Sequence, residues 1–265
     1  MIRVYALNGL IPLIGISTLL PQNWCGGQLF KDPYTRKDIR YQNWAPLLPF
    51  AQAAANKVIT EAQKPGQKIF FGHSMGAEVL CLVLRMNPDI STEDNVFVLT
   101  GNPERKYGGM LTSPINIANP AYGGVGFPND TPFRVWDVAR QYDRYADFPT
   151  VNVRQAVANN EAGGGIHMNY TDVRVGDPNN ARFVEGNVTY EFVPTFPMPS
   201  VVKPFKPLKR QALEDAQQRP TVEKGYTRPF QVPALTSIRA AGAVVDPYTG
   251  AAVRVASQPV WNPFT

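Results

Sequence analysis

The chain has 265 residues, 44% of them hydrophobic, and a formal net charge of +5. That apolar share supports a real core and excludes wholesale disorder, and the length suits one large domain or a domain with an appendage. Its lysines and arginines are scattered, with no basic block and no nucleic-acid-binding motif, so the positive charge suits solubility or mild affinity for an anionic envelope and not nucleic-acid recognition.

In chain order, residues 2–7 (IRVYAL) read as a strand that ends at Asn8-Gly9-Leu10. The apolar stretch over residues 4–20 is interrupted by Asn8, Gly9, Pro12 and Gly15, and no small-residue cleavage site follows it. It reads as a first core strand running into a loop, too short and broken for a transmembrane segment, with no signal peptide seen. A long connection containing glycine and proline runs to about Arg40, and residues 47–63 then carry an alanine-rich helical pattern with Pro49 in its first turn. Lys64-Pro65-Gly66 ends that helix and leads into a short apolar strand at 69–71.

That strand stops at Gly72-His73-Ser74-Met75-Gly76, and an amphipathic helix follows over residues 77–85. Strand, tight turn and helix around G-x-S-x-G are the context of a nucleophile elbow, in which the serine stands clear of the sheet at a helix N-terminus. Residues 95–101 form another apolar strand. Alternating strands and helices imply parallel pairing with right-handed crossovers, and so an α/β fold of the α/β-hydrolase type, a three-layer sandwich with a mostly parallel sheet. Residues 102–132 read as a long loop or cap, 133–142 as a strand and 151–161 as a short helix. Residues 170–175 and 187–194 read as two further strands. No internal repeat is present.

Ser74 needs a base within hydrogen-bond reach. The chain has two histidines; His73 is bonded to Ser74 in sequence and points away from it, which leaves His167 as the general base. The acid that orients His167 is expected at Asp147, ahead of Phe148-Pro149. Asp143 is the alternative and Asp172 a third candidate. The oxyanion hole is expected from the backbone N–H of Met75 together with Leu10 or Gly9. The two cysteines, Cys25 and Cys81, are too few for a disulfide framework or a metal site, and the reaction needs no metal or organic cofactor.

Several motifs occur in a fixed order: Asn8-Gly9, GHSMGAEVL, Gly101-Asn102-Pro103-Glu104-Arg105 with Gly108-Gly109, YDRYADFP, Gly164-Gly165-Ile166-His167 and GNVTYEFVPT. Together they resemble the PE-PPE-type serine esterase domain of mycobacteria and their phages, related to cutinases and to the phage lysin B mycolyl esterases. A fainter echo, RPTVEKGYTRP, carries the resemblance to about residue 230, while Met75 stands where relatives often have Gln. The resemblance implies a cutinase-like esterase of acyl or mycolyl lipid esters. The lack of a PE or PPE module and of a signal peptide, with the long arm described next, points to a virion-associated setting or one acting at the cell envelope.

Past Pro194 prolines recur every few residues, and only 208–218 has a helical pattern. The expected organisation is therefore a hydrolase domain over 1–195 and a Pro-rich extended C-terminal arm over 196–265, either a flexible tail or an arm laid on a neighbour. A competing reading makes the protein a virion structural component that keeps a hydrolase fold and assembles through residues 197–265. A third possibility is that the segment wraps back on its own domain.

Overall fold

The computed structural model describes residues 1–9, 20–42, 47–116, 126, 128–233, 238–240, 243–249, 251–253 and 261–264. Strands β1 (Ile2–Leu7), β2 (Tyr34–Asp38), β3 (Lys68–His73), β4 (Asn95–Thr100), β5 (Arg134–Arg140), β6 (Ala181–Glu185) and β7 (Val188–Val193) form one sheet in the order β2-β1-β3-β4-β5-β7-β6. Every pairing is parallel except the β6–β7 hairpin at one edge. Helices α1 (Leu47–Ala62) and α2 (Met75–Met86) flank β3 in the chain, and α3 (Arg154–Ala162), α4 (Gly164–His167) and α5 (Leu208–Val222) follow β5. A short pair, β8 (Ile238–Ala240) and β9 (Ala243–Val245), lies apart from the main sheet. This is the expected α/β-hydrolase architecture.

The central strands β3 and β4 are buried at every position, so they read as continuous apolar runs and not as alternating patterns. Their side chains still divide by pleat. Tyr5, Leu7, Phe70, Phe97 and Leu99 face α1 and α2 in one core. Val4, Ala6, Ile69, Phe71 and Val98 face a second core, closed by Trp24, Leu29, Phe30, Tyr170 and Val173.

Three expectations are corrected. Residues 34–38, expected within a connection, add β2 to the edge beside β1. Residues 170–175 do not form a strand. The carbonyls of Tyr170 and Thr171 accept from the Cys25 and Gly26 N–H groups, and Gln28 bonds both the N–H and the carbonyl of Val175, so a loop and not a sheet edge satisfies this backbone. The antiparallel partner of β7 is β6, joined to it by a turn through Gly186 at φ +58°.

The third correction concerns the C-terminal segment. Residues 198–230 are not an extended arm. Met198, Val201 and Val222 are buried against Tyr142 and Ala156, and Phe230 packs on Phe192. Asp215 accepts from the Met198 N–H at 2.5 Å, and Arg219 reaches Asp215, the Tyr142 hydroxyl and the Thr195 carbonyl. Near the chain end, Trp261 packs on Trp136 and its carbonyl accepts from Tyr34. The prolines do not prevent this packing: Pro207 precedes α5 and Pro220 lies in its last turn, so a helix forms between them and docks on the domain. Among the described residues no helix is long and apolar enough to cross a membrane.

Candidate active site

β3 ends at His73, and the chain turns into α2 through Ser74, whose backbone has φ +55° and ψ −123°. A non-glycine residue in such a conformation costs about 1–3 kcal/mol and persists only where its surroundings over-determine it. Here they do. The Ser74 N–H donates to the Thr100 carbonyl at 3.0 Å, and its carbonyl accepts from Ala77 and Glu78 at 2.8 and 3.1 Å. Gly76 is pressed against the Leu7 carbonyl, where a side chain has no room. Gly9 is equally close to the nucleophile: a Cβ there would lie 2.8 Å from that of Ser74.

The hydroxyl of Ser74 lies 2.8 Å from His167 Nε2. On the other side of the ring, His167 Nδ1 lies 2.9 and 3.1 Å from the two carboxylate oxygens of Asp143. Asp143 is fully buried and saturated: the Tyr170 hydroxyl donates to it at 2.6 Å, and the N–H groups of Tyr145 and Ala146 at 2.8 and 3.2 Å. Burial alone would raise its carboxyl; His167, by charge and by hydrogen bond, then Tyr170 and the Tyr145 N–H outweigh that and hold it at about 2. The carboxylate therefore stays ionised beside the imidazole. The Tyr145 ring lies over His167 with centroids 4.4 Å apart.

Asp147, the expected acid, does not meet His167. Its carboxylate accepts from the Tyr142 N–H at 2.7 Å and from Arg228 at 3.0 and 2.6 Å. The reason is local geometry. The Asp147 N–H donates to the Asp143 carbonyl at 2.9 Å, so the two acids are one helical turn apart, and the first of them takes the site. Asp172 is part-buried and paired with Arg140, 2.8 Å away.

His73 is buried, packed edge-on against Trp24 and bonded through Nδ1 to the Thr100 hydroxyl at 3.2 Å. Burial, and then the neighbouring His167, pushes it down to about 3, so it is a neutral packing partner. Of the expected oxyanion donors, Met75 opens α2, so its N–H has no acceptor within the helix. The Gly9 N–H donates to the Asn8 side chain at 2.8 Å, and Leu10 lies outside the described residues. A cavity of about 620 Å³ beside α5, lined by Thr195, Phe196, Arg219 and Tyr226 among others, contains neither Ser74 nor His167. Among the described residues no group of three or more histidine, cysteine or acidic side chains is placed to hold a metal ion.

The PE-PPE domain family matches residues 50–227, about two thirds of the chain. The chain belongs to the PE-PPE domain family. The matched span of this PE-PPE domain includes Ser74, Asp143 and His167 and continues through α5 almost to Arg228. No curated protein matches the chain. Among solved structures, a cutinase-like protein from Cryptococcus sp. is 14% identical with a TM-score of 0.38, over 66% of this chain and 96% of its own. The metagenomic carboxyl esterase MGS0156 is 15% identical with a TM-score of 0.37, over 84% and 76% of the two chains. The type II thioesterase BorB from the borrelidin biosynthetic cluster is 14% identical with a TM-score of 0.32, over 73% and 82%.

Three contributors were not singled out in the sequence. Tyr170 follows His167 by three residues in the same loop and is the second hydrogen-bonding side chain on Asp143. Tyr145 lies between the two candidate acids. Arg228 lies in the RPTVEKGYTRP stretch, which also supplies Arg219, Glu223 and Tyr226 to the same buried network. That stretch was the available signal for Arg228.

Proposed function

We propose that this PE-PPE domain protein hydrolyses acyl esters of lipids through an acyl intermediate on Ser74. The observation that carries the reading is the unbroken hydrogen-bond chain from the Ser74 hydroxyl through His167 to Asp143, mounted on a strained elbow. As Oγ attacks the ester carbonyl, His167 Nε2 takes the serine proton, and Asp143 stabilises the imidazolium and fixes the ring's tautomer. The negative charge developing on the carbonyl oxygen meets the Met75 N–H at the head of α2, where the helix dipole also favours it. The proton on Nε2 passes to the leaving alcohol. Water, deprotonated by the same nitrogen, then cleaves the acyl-serine ester.

The sequence resemblance brings mycolyl and other long acyl esters to this site as substrates, and a phage particle or the outer cell envelope as its setting. The same constellation would also cleave thioesters. A p-nitrophenyl ester series of increasing acyl length, run beside matched thioesters, tests both. Hydrolysis is expected to rise with chain length and favour the oxygen esters. Ser74→Ala is expected to abolish turnover and fluorophosphonate labelling while leaving the melting curve unchanged. Turnover in that variant comparable with wild type would overturn the assignment.

A further inference from the structure

Among the described residues Phe205 is the most exposed large apolar residue, at 100%. It does not hang on a loose loop. Residues 203–206 (KPFK) form a turn closed by the Lys206 N–H donating to the Lys203 carbonyl at 3.2 Å, with Pro204 presetting its first corner. Gln211 on α5, only 5% exposed, donates to the Lys206 carbonyl at 2.7 Å and to the Lys203 carbonyl at 3.4 Å. A buried glutamine thus pins a turn whose tip is a bare aromatic ring. Val202 and Leu213, 49% and 50% exposed, flank it in the chain.

Cations outnumber acids around this tip. Between residues 202 and 213 there are four cations, Lys203, Lys206, Lys209 and Arg210, and no acid. Glu214 engages Lys206 and Arg210. Lys203 and Lys209 are exposed and make no ion pair among the described residues.

We propose that the turn over residues 203–206, with the start of α5, docks on an anionic lipid surface. A single aromatic tip ringed by lysines matches the interfacial region of a bilayer. The ring enters the acyl boundary while the ammonium groups stay at the headgroup phosphates, their aliphatic stems lying along the apolar side. Each cation adds roughly fivefold to the partition at an anionic surface. A protein partner fits less well, because a stable protein interface needs a broad complementary patch of about 800 Å² per side, not one ring. The segment that leads into the turn is tied to the helices that carry the base. Just ahead of the turn, the Ser200 N–H donates to Asn159 at 3.0 Å on α3, the helix that leads directly into α4 and His167.

The surface stands independently of the esterase reading, so its test is run on the Ser74→Ala chain, in which no vesicle lipid is consumed. Co-sedimentation is measured with vesicles of phosphatidylcholine alone and with a third of the lipid replaced by phosphatidylglycerol. The full chain is expected to partition onto the anionic vesicles only, and to be released by high salt. Phe205→Ser should reduce the bound fraction roughly tenfold. The pair Lys203→Glu with Lys209→Glu should abolish it. In the Ser74 background, neither change should alter the melting temperature or the hydrolysis of short soluble esters. Equal binding to both vesicle types, no binding to either, or Phe205→Ser binding as well as its parent overturns the proposal. A light-scattering shift that reveals self-association lost in Phe205→Ser, without vesicle binding, would assign the tip to a protein contact and overturn it too.

Discussion

Arg228 grips Asp147 at two points, Nε 3.0 Å from one carboxylate oxygen and Nη2 2.6 Å from the other. The second oxygen also accepts from the Tyr142 N–H, and Tyr142 is held at φ +66°, a conformation uncommon for a non-glycine residue. The ion pair therefore closes the turn that begins with Asp143. The side chains of the two partners are 6% and 1% exposed, so neither charge has water to fall back on if the other is removed.

The two acids are expected to separate in mutagenesis. Asp143→Asn leaves the imidazole in the wrong tautomer and should lower kcat by about 10⁴-fold with little change in KM. Asp147→Asn should act mainly on stability and leave kcat of the folded enzyme within about tenfold, since its carboxylate touches the backbone and Arg228, not His167. Steady-state kinetics on both variants decide it. A larger kcat loss in Asp147→Asn would move the role to Asp147.

Removing the other partner should be costly. Arg228→Met leaves Asp147 charged and buried, which should cost about 3–5 kcal/mol. In a domain of this size that corresponds to a fall in melting temperature of roughly 6–20 °C. Truncation after Pro199 removes α5 as well as Arg228 and should lower it further, or prevent folding. A truncated chain that melts like the full one would return the C-terminal segment to the status of a detached arm.

Tyr170 gives Asp143 its second side-chain hydrogen bond, while its own oxygen accepts from the Arg140 N–H at 3.0 Å. Tyr170→Phe removes a hydrogen bond to a charged group, worth about 1.5–3 kcal/mol. The expected result is a kcat loss of roughly tenfold to a hundredfold at unchanged KM, smaller than that of Asp143→Asn. Unchanged kcat would make Tyr170 a packing residue only.

Glu78 lies one turn of α2 beyond Ser74. Burial first, and then Glu104, pushes its carboxyl up from 4.5 to about 8, with Arg85 acting against the shift. Between those values the folded protein holds a proton that the unfolded chain has released. Stability contributed by this group is fully present below about 4.5 and is lost as the pH rises through about 8. Glu78→Gln should therefore flatten the decline of melting temperature across this window and leave the variant more stable than wild type in mild alkali. Parallel pH–melting curves for the two proteins would contradict this.

The elbow and the base were legible in the amino-acid sequence because their determinants are local or few. A strand, a five-residue turn and a helix are contiguous, and a chain with two histidines, one of them adjacent to the serine, leaves one candidate base. Strands β1, β3, β4 and β7 were likewise visible, because buried parallel strands are short apolar runs bounded by turn residues. Edge strand β2 (YTRKD) was not, since an edge half open to solvent carries polar and charged residues and looks like a loop. The acid was decided by tertiary structure alone. Asp143 and Asp147 stand one turn apart in similar surroundings, and Asp147 is taken by an arginine 81 residues away. The same contact made part of the proline-rich segment a piece of the domain. Hydrophobic periodicity reports which way a side chain faces along its own element, whereas a buried ion pair between distant segments leaves no period to read.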